Sequence, residues 1–281
     1  MKCKVTNKKI QPFMSFGKMP IANGFIEKKN FDKEFFYNME VGFSEELSLL
    51  QLNDHPEPKS MFNEKYPFFT SSSEFMKIHF KNYADWLGKK YLKSDSNLIE
   101  IGSNDGTFLK NFKNKNVNAI GFEPSKNVAD KAVLDGIKTY NCFFNLKNIE
   151  LIKENYNKID VICASNVICH IPNLNDLITS IDKLLSKDGV FIFEEPYMGS
   201  MFKKTSYDQI YDEHIYMFSL SSVKKIFNLY NFELVDVIPQ ETHGGSMRYI
   251  ISRKENAEIS KQVKLGLDDE IKKNYNNIKS C

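Results

Sequence analysis

From residue 97 onward the chain alternates short apolar runs with longer amphipathic ones. Leu98-Ile99-Glu100-Ile101, Ala119-Ile120-Gly121-Phe122, Ile137 to Tyr140, Val161-Ile162-Cys163-Ala164 and Val190-Phe191-Ile192-Phe193 read as five strands, the third the weakest. The stretches 107–113, 125–135, 146–155 and 174–186 between them read as helices. This alternation predicts βαβ units, hence an α/β fold with a mostly parallel sheet and helices on both faces. A helix over 221–230 and an antiparallel pair of strands over 232–238 and 246–252 follow. Ahead of this region, Ser71-Ser72-Ser73-Glu74 opens a helix with Phe75, Ile78 and Trp86 as its apolar positions. Residues 1 to about 60 break the pattern: their apolar pieces are short and are interrupted by Pro12, Pro20, Pro56 and Pro58. They predict a small irregular or β-rich unit. The expected division is an N-terminal domain over 1–65, an α/β domain over 66–253, and a polar, Lys-rich helix over 254–281.

Composition narrows the classes. Lys plus Arg total 38 and Asp plus Glu 36, with the lysine pairs scattered among acidic neighbours, so no basic stripe points to nucleic acid. No apolar run approaches the ~18 residues of a membrane span, and none near the N-terminus fits a signal peptide. The cysteines, Cys3, Cys142, Cys163, Cys169 and Cys281, are odd in number and widely spaced. That predicts free thiols in a reducing, cytoplasmic setting.

The densest chemistry lies after the first strand of the α/β region, in Gly102-Ser103-Asn104-Asp105-Gly106. Two glycines permit a sharp turn and close approach of a ligand, and a following helix would aim free N–H groups at it. The Gly-x-x-x-Gly spacing disfavours a dinucleotide. The second strand ends in Glu123-Pro124, where an acid can accept hydrogen bonds from both hydroxyls of an adenosine ribose. The fourth ends in Ser165-Asn166. All three features fall on the carboxyl edge of the sheet, where open α/β folds bind ligands.

Three of the five histidines fall near the same edge: His170, His214 and His243. Together they form a candidate acid–base group, with Glu213 beside His214 able to orient it. His55 and His79 lie outside this group. No short ligand spacing marks a zinc site among them.

These segments resemble the sugar C-methyltransferases of deoxysugar pathways, in particular those acting at C-3 of thymidine-diphosphate 4-ketosugars. The likeness runs from about residue 20 to about 253. It rests on Pro20-Ile21-Ala22-Asn23, Tyr66-Pro67-Phe68-Phe69 with Ser71 to Ser73, and Glu100 to Gly106. Further on it includes Glu123-Pro124-Ser125, Asn166 to Pro172, Glu195-Pro196-Tyr197, Tyr211 to His214 and His243 to Arg248. The resemblance implies a Rossmann-like class I methyltransferase core with S-adenosylmethionine as cofactor and a nucleotide-linked sugar as substrate. It implies His214 as the base, with Tyr211, Glu213 and His170 as its catalytic companions. Gly102 to Gly106, Glu123, Pro124 and Asn166 would hold the cofactor, and Tyr66, Asn166 and His243 the sugar. Two departures stand out. The family's four zinc cysteines form two Cys-x-x-Cys pairs, whereas here Cys3 is followed by Thr6, Ser44 and Leu47, so no metal is expected. The family also carries a C-terminal domain that this chain is expected to lack. O-methylation of a nucleotide-linked hexose or heptose, and a non-catalytic remnant, are the alternatives.

Overall fold

A computed structural model describes residues 1–153, 156 and 158–278. The first elements in chain order are β1 (Pro12–Pro20), β2 (Phe36–Ser44), β3 (Leu49–Leu52), the single turn α1 (Pro58–Met61), α2 (Glu74–Tyr91), β4 (Ser96–Ile101) and β5 (Val117–Phe122). Next come α3 (Lys126–Leu134), β6 (Thr139–Tyr140), α4 (Glu150–Lys153), β7 (Ile159–Ser165), α5 (Leu174–Leu184) and β8 (Leu185–Pro196). The chain continues through α6 (Met198–Lys204), β9 (Tyr216–Met217), α7 (Leu220–Asn228), β10 (Phe232–Gln240), β11 (Ser246–Arg253) and α8 (Lys261–Lys272).

The expected α/β architecture is present. Seven strands lie in the order β10-β11-β8-β7-β4-β5-β6. The strands from β8 to β6 pair in parallel, while β11 is antiparallel to both neighbours. The order reverses at β4, so the crevice where ligands bind opens above the carboxyl ends of β4 and β7. Apolar side chains bury both faces. Ile99, Ile101, Ile162 and Phe193 point into one layer under α5 and α7. Leu98, Val161, Cys163 and Ile192 point into the other under α2. This is the period of two expected of strands covered on both sides.

Several local expectations shift. Ser73 caps α2, accepting from Met76 N, but Phe75 and Ile78 are exposed and the buried stripe is Met76, Phe80, Tyr83, Ala84 and Leu87. The stripe is out of phase with the expected one because the helix lies on the sheet through its Phe80–Leu87 side. The helix expected over 107–113 is only a 3-10 turn, Leu109–Phe112, since Phe108, Leu109 and Phe112 all have to enter the core. Of the helix expected over 146–155, α4 occupies 150–153, and residues 154 and 155 lie outside the described residues. The chain switches to strand at Leu185, ending α5 earlier than expected.

The N-terminal region is β-rich: β1, β2 and β3 form an antiparallel sheet whose fourth strand, β9, comes from far along the chain. One face, with Val41, Phe43, Leu50 and Leu52, packs on Met198, Met201, Ile210 and Met217. At the other end of the chain, α8 is fastened by Glu270. This fully buried carboxylate accepts from Leu220 N (2.7 Å), Ser221 N (2.9 Å), Ser221 Oγ (2.6 Å) and Tyr197 Oη (2.8 Å), capping the first turn of α7. Cys3, Cys163 and Cys169 are free and buried and Cys142 is half-buried, while Cys281 lies outside the described residues.

Candidate functional site

A cavity of about 1000 Å³ opens over the carboxyl ends of β4, β5 and β7. Gly102 turns the chain at its floor with φ +66°, and a Cβ there would meet Val167 Cγ2 at 2.4 Å, so both the dihedral and the space require glycine. Glu123, at the end of β5, lines the cavity. It accepts from Asn104 N (2.9 Å) and Ser125 N (2.7 Å). Burial raises its pKa, and these two amides oppose that rise. Each carboxylate oxygen keeps a further lone pair for a ligand hydroxyl. Glu100 Oε2, Ser103 Oγ and Asn166 Oδ1 are buried without partners, and all three residues line the same cavity. These orphaned polar atoms beside Glu123 suit the polar ends of an adenosyl amino acid.

The loop does a second job. Asn104, at φ +48°, accepts from Thr70 N and donates to Phe68 O, and Asp105 accepts from Ser71 N and from Thr107. The two side chains thereby clasp the 68–71 segment over the floor. Asp105 and Gly106 do not border the cavity, whereas Gly102, Ser103, Asn104 and Pro124 do.

The same cavity is bordered by the candidate acid–base group. The rings of Phe62 and His170 stack at 5.5 Å, those of His170 and His214 at 5.4 Å, and Tyr211 lies 4.3 Å from His214. His214 Nδ1 is 2.8 Å from the carbonyl of Gln209. A carbonyl can only accept, so Nδ1 carries the proton and Nε2 keeps its lone pair. Burial pushes the His214 pKa down to about 4, and burial lowers that of His170 well below the usual range, helped by His214 and His243. Both rings are therefore neutral near pH 7. The two segments that carry them are joined by Ile215 N to Cys169 O (2.9 Å) and Tyr216 Oη to Pro172 O (2.6 Å). Glu195 Oε1 accepts from Val167, Ile168 and Cys169 N, holding the turn that presents His170; burial lifts its pKa to about 7. Cys169, His170 and His214 bring three donor atoms within 4.8 Å of one another. The stacked imidazoles, however, hold their lone pairs in nearly parallel planes, a poor start for one shared ion.

Tyr66, Asn166, His170, Tyr211, Glu213, His214 and His243 all border this one cavity. His79 does not border it. It reaches Glu194 Oε2 at 2.7 Å, and Glu194 also takes Arg248 at 2.5 Å. Despite burial, these two partners keep the Glu194 pKa low. Arg248 in turn lies over the Tyr83 ring at 3.8 Å, tying α2 to β8 and β11. Phe62 is a wall residue that no chemical pattern singles out, and Asn23, the last residue of the Pro20–Asn23 segment, joins the wall with no role expected of it. Glu100 was visible inside its own motif.

Comparison with known proteins agrees with this architecture. Residues 76–237 match the family model of a methyltransferase domain, and residues 3–62 match that of a zinc binding domain. The C-methyltransferase NovU of Streptomyces niveus is 27% identical over 83% of this chain and 56% of its own length, so the chain spans little more than half of that relative. Among solved structures, a chain of the complex between the Haloferax volcanii Trm112 methyltransferase activator and its methyltransferase superposes with a TM-score of 0.51. It is 10% identical and covers 65% of this chain and 94% of its own. The magnesium protoporphyrin IX methyltransferase of Synechocystis, solved with S-adenosylhomocysteine, gives a TM-score of 0.47 at 13% identity over 63% and 83% of the two chains. At 10% identity the likeness to the Haloferax chain is one of fold.

The zinc implied by the N-terminal match does not fit these residues. Cys3 and Leu47 are buried in the apolar core, Thr6 Oγ1 is buried without a partner, and Ser44 Oγ accepts from Leu47 N. One thiol, two hydroxyls and a leucine cannot supply the four ligands of a structural zinc. The α/β sheet, its cavity and the matched model agree: the chain belongs to the methyltransferase domain family, with the class I fold and S-adenosylmethionine as its cofactor.

Proposed function

We propose that the chain transfers a methyl group to a carbon of a nucleotide-linked ketosugar, with His214 as the base. The observation that carries this reading is the state of His214: neutral, with Nδ1 tied to the Gln209 carbonyl and Nε2 left unprotonated, in a residue that borders the cavity. Bound S-adenosylmethionine supplies an activated methyl group. A ketone acidifies the C–H beside it, and Nε2 takes that proton, leaving a nucleophilic carbon. Burial raises the pKa of both Tyr66 and Tyr211, so each phenol stays protonated and able to donate to a developing enolate oxygen. Glu213 and His170 orient the base, Tyr66, Asn166 and His243 border the sugar, and the Gly102–Gly106 loop with Glu123, Pro124 and Asn166 serves the cofactor. In this reading residues 66–253 form the catalytic domain, 1–65 an accessory domain and 254–281 a polar trailing segment, carrying α8, of a cytoplasmic enzyme. The likeness to a C-methyltransferase over 83% of the chain supports carbon as the acceptor.

The test uses a thymidine-diphosphate 4-ketosugar. With S-adenosylmethionine the product should gain one methyl, located on carbon by NMR, and in deuterated water without methyl donor the α position should exchange. A methyl found on oxygen would replace this reading by O-methylation.

A further inference from the structure

The Pro20-Ile21-Ala22-Asn23 segment has no part in the chemistry above, yet it ends in the cavity wall. Ala22 N donates to Asp212 Oδ2 at 3.1 Å, and Asn23 Nδ2 donates to Glu213 Oε1 at 2.7 Å. Two consecutive residues of the N-terminal lobe thus hold two consecutive carboxylates of the loop that presents His214. Asn23 and Glu213 both border the cavity, and Glu213 is almost fully buried.

We infer that Asn23 is a positioning residue that holds the Glu213 carboxylate in the cavity wall and keeps it ionised, so that the N-terminal lobe completes the catalytic centre. This rests on the assignment of Tyr211–His214 to that centre. The surroundings of Glu213 otherwise work against its charge. Burial raises its pKa, Asp212 raises it further, and the Asn23 amide is the interaction that opposes them. Tyr66, Tyr211 and Cys169 also face Glu213, and none of them carries a positive charge.

The test is an infrared pH titration of the Glu213 carboxyl, assigned with Glu213→Gln. Losing a hydrogen bond to a buried charge should move the midpoint up by about one to two pH units in Asn23→Ala. Asn23→Asp, nearly isosteric, should move it upward as well. On the ketosugar, kcat at pH 7 should fall about tenfold or more with KM for S-adenosylmethionine unchanged, and the acid limb of the rate profile should shift with the titration. An unchanged Glu213 midpoint in both variants, with S-adenosylhomocysteine still bound, overturns the inference. A shifted midpoint in a protein whose parent does not turn over the ketosugar upholds the Asn23–Glu213 coupling and removes the sugar assignment instead.

Discussion

The two sheets of this protein are stabilised differently. In the seven-stranded sheet, β4 is buried on both faces, and its side chains enter apolar layers above and below. In the four-stranded sheet, β1 is an edge strand with most of its residues exposed, and β9 is borrowed from the distant chain. The first sheet organises itself. The second is organised by what it leans on, and the segments that flank its strands, with Asn23, Tyr211 and His214, reach the wall where proton transfer is proposed. The cofactor side of the cavity therefore belongs to one sheet, and the acid–base side lies on the seam between two.

The largest expected effect separates these sides. His214→Ala should lower turnover ~10²–10⁴-fold, the usual contribution of a general base, while S-adenosylhomocysteine affinity, measured by calorimetry, stays near that of the parent. Equal loss of both would place His214 in the cofactor site. The acid limb adds a sign. His214 is neutral above about pH 4, so it is not the group that stops the reaction as pH falls from 7. Glu213, whose pKa burial raises, should set that limb above the ordinary carboxylate range.

The next effect concerns the core. Glu270→Ala strips four donors of their acceptor. Leaving buried donors unpaired should cost about 3 kcal/mol or more in urea unfolding. A loss below about 1 kcal/mol would mean that α8 is a loose appendage. A smaller and more local change is expected from Glu123→Ala: affinity for S-adenosylhomocysteine should weaken by roughly 1.5–3 kcal/mol, with the melting temperature little altered. The smallest effect is none at all. Prolonged chelation should leave both the melting temperature and the secondary structure unchanged, because Thr6, Ser44 and Leu47 offer no thiolate to a zinc ion. Elemental analysis finding about one zinc per chain would reverse this and point to ligands outside those positions.

Hydrophobic runs such as Val161–Ala164 revealed the buried parallel strands because such strands are apolar on both faces. Gly102 and Glu123 were legible because a turn with positive φ and an acid at a strand end leave a local mark. The 3-10 turn at Leu109–Phe112 was not, since tertiary burial of three apolar residues overrides local helical pattern there. Asn104 and Asp105 show the same limit: their residue types suited a ligand loop, but their side chains serve largely to clasp 68–71, a partnership set by distant residues. Phe62 gains its place only through folding, and nothing in its own neighbourhood announces the cavity; Asn23 stands in a segment that resembles the family, but its partner Glu213 is set by folding.

The pairing of Leu50 with Met217 also has a consequence for biosynthesis. Domains form as the chain emerges, N-terminal parts first, yet the sheet begun by β1 cannot be finished until residue 217 has left the ribosome. Until then β3 presents an open edge flanked by Leu50 and Leu52, the kind of unpaired apolar strand that attracts a neighbouring nascent chain. Completion of this sheet is thus a late, long-range step in folding, and it arrives together with the residues proposed to handle the proton.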